Sequence, residues 1–417
     1  MVTLTTGGNQ ASAVVYNKKM TNSLRSLFLL EPDVIFLNHG SFGACPKPVF
    51  EAYQEWQRRL ELQPVRFVQR EQTLYQEEAR AALSSYIHCD PKEVACILNV
   101  THGVNIVARS LVGNYLQAGD EVLTTDHEYG SCNTAWEYLC KKAGVRYVYQ
   151  HIPLPISSAE EISELFWTGV TPRTKLIYLS HITSPTALRL PVEAICERAR
   201  QAGILTVIDG AHAPGQLPLD MQAIGADFYT GNCHKWMLSP KGAGFLYVRL
   251  EQQKWIEPLV VNWGYRSTAE TSRGSRLIDY VEWTGTHDPA ASLSVPRAIQ
   301  FMEEHEWIAV RESCHNLLGQ TIQKISEMTG LRPAYPPASD LYSQMGIAPI
   351  PAETDTTWLK NQLYDQYRIE VPAVEWNGQK MIRISVQAYN TPEDLDALIE
   401  ALQVELPRAA PRQAVEA

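Results

Sequence analysis

Nowhere does this sequence place two cysteines in a C-x-x-C pair, although it holds eight of them. Thiols scattered through so long a chain argue against a disulfide framework or a zinc site, and for reduced cysteines in the cytoplasm. Positive charge is also short: 36 Lys and Arg stand against 46 Asp and Glu, a formal charge of −10. Phosphate backbones and anionic membrane surfaces need clustered Lys and Arg, so neither nucleic acid nor membrane is expected as a partner. No apolar run reaches the roughly 18 residues of a membrane span. The opening stretch, MVTLTTGGNQASAVVYNKKM, lacks the basic-then-apolar order of a secretion signal and reads as a mobile tail. There is no internal repeat and no metal-ligand cluster.

What is present is a globular composition, 45% hydrophobic and 20% charged over 417 residues. That length exceeds one ordinary core and predicts one large and one small domain. Apolar runs suited to buried parallel strands occur at Val94–Leu98, Glu121–Thr125, Val145–Tyr149, Lys175–Ser180, Ile204–Asp209, Asp227–Thr230 and Gly244–Val248. Amphipathic stretches lie between them, at Val104–Tyr115, Cys132–Ala143, Ser158–Trp167 and Val192–Ala202. The alternation predicts an α/β domain with ligands at the carboxyl ends of the strands. Two helical patterns, Val49–Leu62 and Gln69–Ile87, precede it and suit either a dimer surface or a solvated face. Glu257–Thr286 has no clear period and reads as loop-rich. Beyond it the order β-α-β-β-α, with strands at Ile369–Val374 and Met381–Val386 and a helix from Pro392, predicts a small α+β domain. The expected division is a tail or arm over 1–30, a large domain over 31–288, a small domain over 289–405 and a tail over 406–417.

Two segments bear the chemistry, T-V-I-D-G-A-H-A and F-Y-T-G-N-C-H-K-W. Each is a strand that ends at or just before a reactive side chain, Asp209 in the first and His234-Lys235 in the second. Pyridoxal 5′-phosphate (PLP) needs that pair: a lysine for its Schiff base and a carboxylate to keep the pyridine nitrogen protonated. Taken singly, Asp209 is equally well a turn residue and Lys235 a solvated one.

Over about Phe36 to Arg383 the chain resembles the class V aminotransferase family, fold type I of the PLP enzymes, and within it the isopenicillin N epimerase-like branch. The resemblance rests on F-L-N-H-G-S-F-G at 36–43, N-V-T-H-G at 99–103, T-D-H-E-Y-G at 125–130 and S-H-I-T-S-P-T at 180–186. It continues through D-G-A-H-A-P-G at 209–215, N-C-H-K-W at 232–236, G-T-H-D-P at 285–289 and R-I-S at 383–385. It implies an aspartate aminotransferase-like fold with a mostly parallel seven-stranded sheet, an amino-acid substrate and a homodimer.

Residue by residue, the resemblance implies that Lys235 forms the Schiff base, Asp209 pairs with the pyridine nitrogen and His212 bonds the ring's phenolic oxygen. A satisfied core histidine is the alternative at 212. Val100-Thr101-His102-Gly103 leads from a strand into a helix, whose N–H groups and dipole suit a phosphate. Asn232 and His234 are implied beside that phosphate, and Thr286 from a second subunit. Tyr129 is the candidate to stack on the cofactor, with His127 as its rival. Arg383 is the candidate grip on the substrate carboxylate, because a guanidinium holds a carboxylate by two parallel bonds. His39 and Asn38 belong to a Gly-rich loop that could approach substrate, although a turn histidine fits equally.

No cysteine lies between Ala334 and Arg383, where cysteine desulfurases carry their nucleophile, so a persulfide route is not expected. Epimerisation or racemisation at Cα, with Lys235 and either Tyr129 or a water as the two proton carriers, is the leading expectation. A C–S β-lyase, an aminotransferase and a non-catalytic PLP carrier are the alternatives. S-P-T at 184–186, where several relatives have an asparagine, leaves the electronic tuning of the ring open.

Overall fold

The computed structural model describes residues 24–409, so most of the expected tails, 1–23 and 410–417, lies outside the described residues. The part of the first tail that is described is packed. Phe28 is buried edge-on against Tyr389 and Phe301. Strand β1 (Ile35–Phe36) follows it.

Seven strands form the large sheet: β2 (Val94–Ile97), β3 (Glu121–Thr125), β4 (Arg146–Gln150), β5 (Thr174–Ser180), β6 (Leu205–Gly210), β7 (Phe228–Asn232) and β8 (Gly244–Val248). Their spatial order is β2-β8-β7-β6-β5-β3-β4. β3 and β5 to β8 are buried along nearly their whole length, as helices on both faces of a sheet require. All seven runs read as parallel strands, but β8 pairs antiparallel with both β7 and β2. The reason is the 233–243 connection, which is too short for the crossover that a parallel return needs.

The helix after β2 begins at Val100, earlier than its apolar period suggests, because Asn99 caps it by accepting from the His102 N–H. The supposed loop 257–286 contains a buried helix, Arg276–Val281.

The C-terminal unit is a three-stranded antiparallel sheet. It joins β9 (Met345–Ile350), β11 (Ala373–Trp376) and β12 (Gln379–Ser385) in the order β11-β12-β9, with the helices Trp307–Thr329, Thr356–Tyr367 and Pro392–Glu405. The single strand expected at Ile369–Val374 is split near Pro372, which has no N–H for a ladder. Its first half, β10 (Ile369–Glu370), runs parallel to β1, while β11 joins β12. The start of the described chain is thereby stitched into the C-terminal unit. No helix among the described residues is long and apolar enough to cross a membrane.

Candidate active site

The carboxyl ends of β5, β6 and β7 lie side by side, with Ser180 opposite Asp209 and Asp209 opposite Thr230 in register. Above them is a cavity of about 180 Å³. Seven of the residues singled out in the sequence line it together: Thr101, Tyr129, Asp209, His212, Asn232, His234 and Lys235.

Asp209 is 2% exposed. Burial raises its carboxyl pKa, and the Ala211 N–H (2.9 Å to Oδ1) and the Tyr178 hydroxyl (3.0 Å to Oδ2) oppose that rise. Burial pulls the Lys235 amine down to about 8, against the opposite pull of the Asp209 carboxylate. Lys235 Nζ lies 3.3 Å from His212 Nε2.

On its other side His212 Nδ1 accepts from the Trp236 indole, 3.2 Å away. An indole N–H can only donate, so the neutral imidazole must carry its proton on Nε2, facing Lys235. Burial, and then the Lys235 charge, hold the His212 pKa well below the usual range, so it stays neutral. The amine of Lys235 accepts in this contact when it is neutral, a form that its lowered pKa brings within reach.

At the start of the helix Val100–Leu111 the sequence led us to expect several free N–H groups. Three are already used: Val100 N–H donates to Asn232 Oδ1, His102 N–H to Asn99 Oδ1 and Gly103 N–H to the Asn99 carbonyl. Thr101 is exposed and lines the cavity, whereas His102 and Gly103 do not. Gly103 serves packing instead, because a Cβ there would run into the Thr230 side chain on β7. His234 bonds the Ala243 carbonyl through Nδ1 and keeps its ring at the cavity wall.

Arg383 on β12, in the C-terminal unit, does not itself line the cavity but bonds two serines that do. It is buried, donating to the Ser184 carbonyl (2.6 Å) and to Ser41 Oγ (3.1 Å). Its Nε is buried with no hydrogen-bond partner among the described residues. Ser41 and Ser184 both line the cavity; the sequence marked Ser184 only as the start of S-P-T, and Ser41 was not singled out.

Asn38 and His39 do not line the cavity. Asn38 donates to Glu370 and accepts from Ser41 Oγ, so its amide supports Ser41. His39 is fully buried, bonded to the Tyr389 hydroxyl (2.9 Å) and the Lys235 carbonyl (3.1 Å). Both ring nitrogens are spent on the fold.

His127, the rival of Tyr129, is likewise buried, bonded to Thr186 and the Ile152 carbonyl and packed on Trp376. Tyr129 is half-exposed at the cavity. Thr286 sits on an exposed loop and does not line the cavity of its own chain.

All eight cysteines are unpaired and none lines the cavity. Burial pushes the Cys45 thiol up to about 12 and Cys233 well above its usual value, so neither is a ready thiolate.

The donor set fits PLP: a buried amine, a carboxylate at a neighbouring strand end, a neutral imidazole N–H, and a helix start with Thr101, Asn232 and His234. The orphaned Nε of Arg383 fits an incoming carboxylate.

The family model described as aminotransferase class-V matches residues 35–398. An isopenicillin N epimerase of Amycolatopsis lactamdurans is 36% identical over 90% of this chain and 96% of its own. A probable chloroplastic L-cysteine desulfhydrase of Arabidopsis thaliana is 28% identical over 89% and 83%. Among solved structures, a C-DES mutant with glycine covalently linked to its PLP cofactor superposes with a TM-score of 0.77 at 20% identity. It covers 93% of this chain and 99% of that one, a likeness of fold.

Proposed function

The chain belongs to the class V aminotransferase family, and from that premise we propose that it is a PLP-dependent enzyme that epimerises an amino acid at Cα. The observation that carries the proposal is the joint placement of Lys235, Asp209 and His212 in a cavity that no thiol lines. The likeness to an isopenicillin N epimerase, over nearly the whole of both chains, favours epimerisation among the family's reactions.

Bound PLP would supply an electron sink for the electrons released at Cα. The protein's part is to hold and move protons. Lys235 Nζ accepts one near neutral pH because burial has lowered its pKa to about 8. Tyr129, at the same cavity, is the proposed second proton carrier. Asp209 would hold the pyridine nitrogen, His212 Nε2–H the phenolic oxygen, and Thr101, Asn232 and His234 the phosphate. Arg383 grips the substrate carboxylate.

The absent thiol favours a second reading, C–S β-elimination, over desulfuration through a persulfide. The desulfhydrase likeness supports it.

A second copy of the chain is part of the proposal. Thr286 does not line the cavity of its own chain, and the adjoining surface carries Val261 and Trp263 at 72% and 80% exposure. An apolar surface of that kind suits a symmetric dimer. Unpaired thiols throughout suit a reducing compartment such as the cytoplasm.

The deciding experiment incubates the PLP-loaded enzyme with L-amino acids and cysteine conjugates in D₂O. Deuterium entering Cα together with the D-epimer supports epimerisation. Pyruvate, ammonia and a released thiol or sulfide support elimination. Alanine formed in step with sulfide overturns both readings.

A further inference from the structure

Between His127 and Tyr129, both weighed as cofactor contacts, lies an acid that the sequence gave no reason to single out. Glu128 is 5% exposed and holds three hydrogen bonds. Its Oε1 accepts from Thr125 Oγ1 (2.7 Å), and its Oε2 accepts from both the Ser180 N–H (2.8 Å) and Ser180 Oγ (2.5 Å). These bonds fasten the turn after β3 to the last residue of β5. Ser180 lines the cavity opposite Asp209 in register, and the residue after Glu128 is Tyr129, which stands just before the helix Gly130–Ala143 and also lines the cavity.

A buried carboxyl is a poor way to add stability, since an apolar residue of similar size would fill the space without desolvating a charge. Burial pushes the Glu128 carboxyl up to about 8; the Ser180 and Thr125 bonds oppose that, and the Asp209 charge adds to it. What a carboxyl provides here is direction, because it fixes two donors of one serine and the hydroxyl of a threonine at set angles.

Resting on the reading of this cavity as a PLP site, we infer that Glu128 is a positioning residue that fixes Ser180 and Tyr129 around the bound cofactor. A glutamine can reproduce most of this geometry: its carbonyl accepts from Ser180 while its amide donates to Thr125 Oγ1. An alanine leaves three donors unpaired.

The test titrates apoenzyme with PLP and records the dissociation constant and the circular dichroism of the bound cofactor's visible band. Wild type should show the band; if it does not, the reading of the site falls and this inference with it. Glu128→Ala should bind PLP about tenfold or more weakly, the scale of leaving buried donors unmade, with a diminished dichroic band. Glu128→Gln should stay within about threefold of wild type on the same scale and keep the band. If Glu128→Ala matches wild type, or if Gln rescues no better than Ala, the inference is overturned while the PLP site stands. Should Glu128→Ala not fold, Ser180→Ala replaces it. That variant should weaken PLP binding and the dichroic band with its melting temperature near wild type, and unchanged binding and dichroism would overturn the inference.

Discussion

Burial lowers the Lys235 amine to about 8, and the sign of that shift fixes how PLP capture should vary with pH. With a lowered pKa, about a tenth of the amine is neutral at pH 7, against less than about a thousandth for a lysine in water. The rate of PLP capture by apoenzyme should therefore rise through pH 8 and level off above about pH 9. Stopped-flow absorbance would show this, and a rate still climbing steeply at pH 10 would contradict it. Lys235→Ala should hold no covalent PLP after borohydride reduction, as mass spectrometry can read. Asp209→Asn should fold, because an amide oxygen can accept from the Ala211 N–H while its NH₂ donates to the Tyr178 hydroxyl. Turnover should nonetheless fall on the order of 100-fold or more, the scale of losing one preorganised charge. Lys235 and Asp209 were legible in the sequence because a reactive side chain at the end of a buried strand is a local pattern. The burial of His39 was not, because its partner Tyr389 lies 350 residues away. Nor was the part of Trp236, whose indole selects the His212 tautomer only through a contact made in three dimensions.

The sheet was the most readable of the elements, since buried runs such as K-L-I-Y-L-S announce a strand covered on both faces. Direction was not readable: the reversal of β8 follows from a short connection, and apolar periodicity is the same in either sense. The segment taken as loop, 257–286, misled for a related reason. Its helix Arg276–Val281 is short and is held by a buried ion pair just beyond its end. Glu282 accepts from Arg80 (2.8 and 3.0 Å) and from the Cys96 N–H, joining an early helix, β2 and the approach to Thr286. Glu282→Ala would leave Arg80 buried and unpaired, at about 3–5 kcal/mol. Differential scanning calorimetry should record a clear fall in melting temperature, and a shift under one degree would refute the importance given to the pair.

At the scale of the molecule, the exposed Val261 and Trp263 beside the Thr286 loop predict self-association. Sedimentation velocity should give a dimer, and Trp263→Glu should shift the boundary towards monomer at low concentration. An active monomer at assay concentration would refute the shared site. The pairing of β1 with β10 has a consequence in time. Asn38 meets Glu370 across 332 residues, and Ser41 meets Arg383 across 342. A ribosome therefore releases one half of this corner long before it has translated the other, while the strands that present Asp209 and Lys235 are already out. A nascent chain can raise its sheet early, but the corner that would grip a carboxylate is the last part of the cavity to exist.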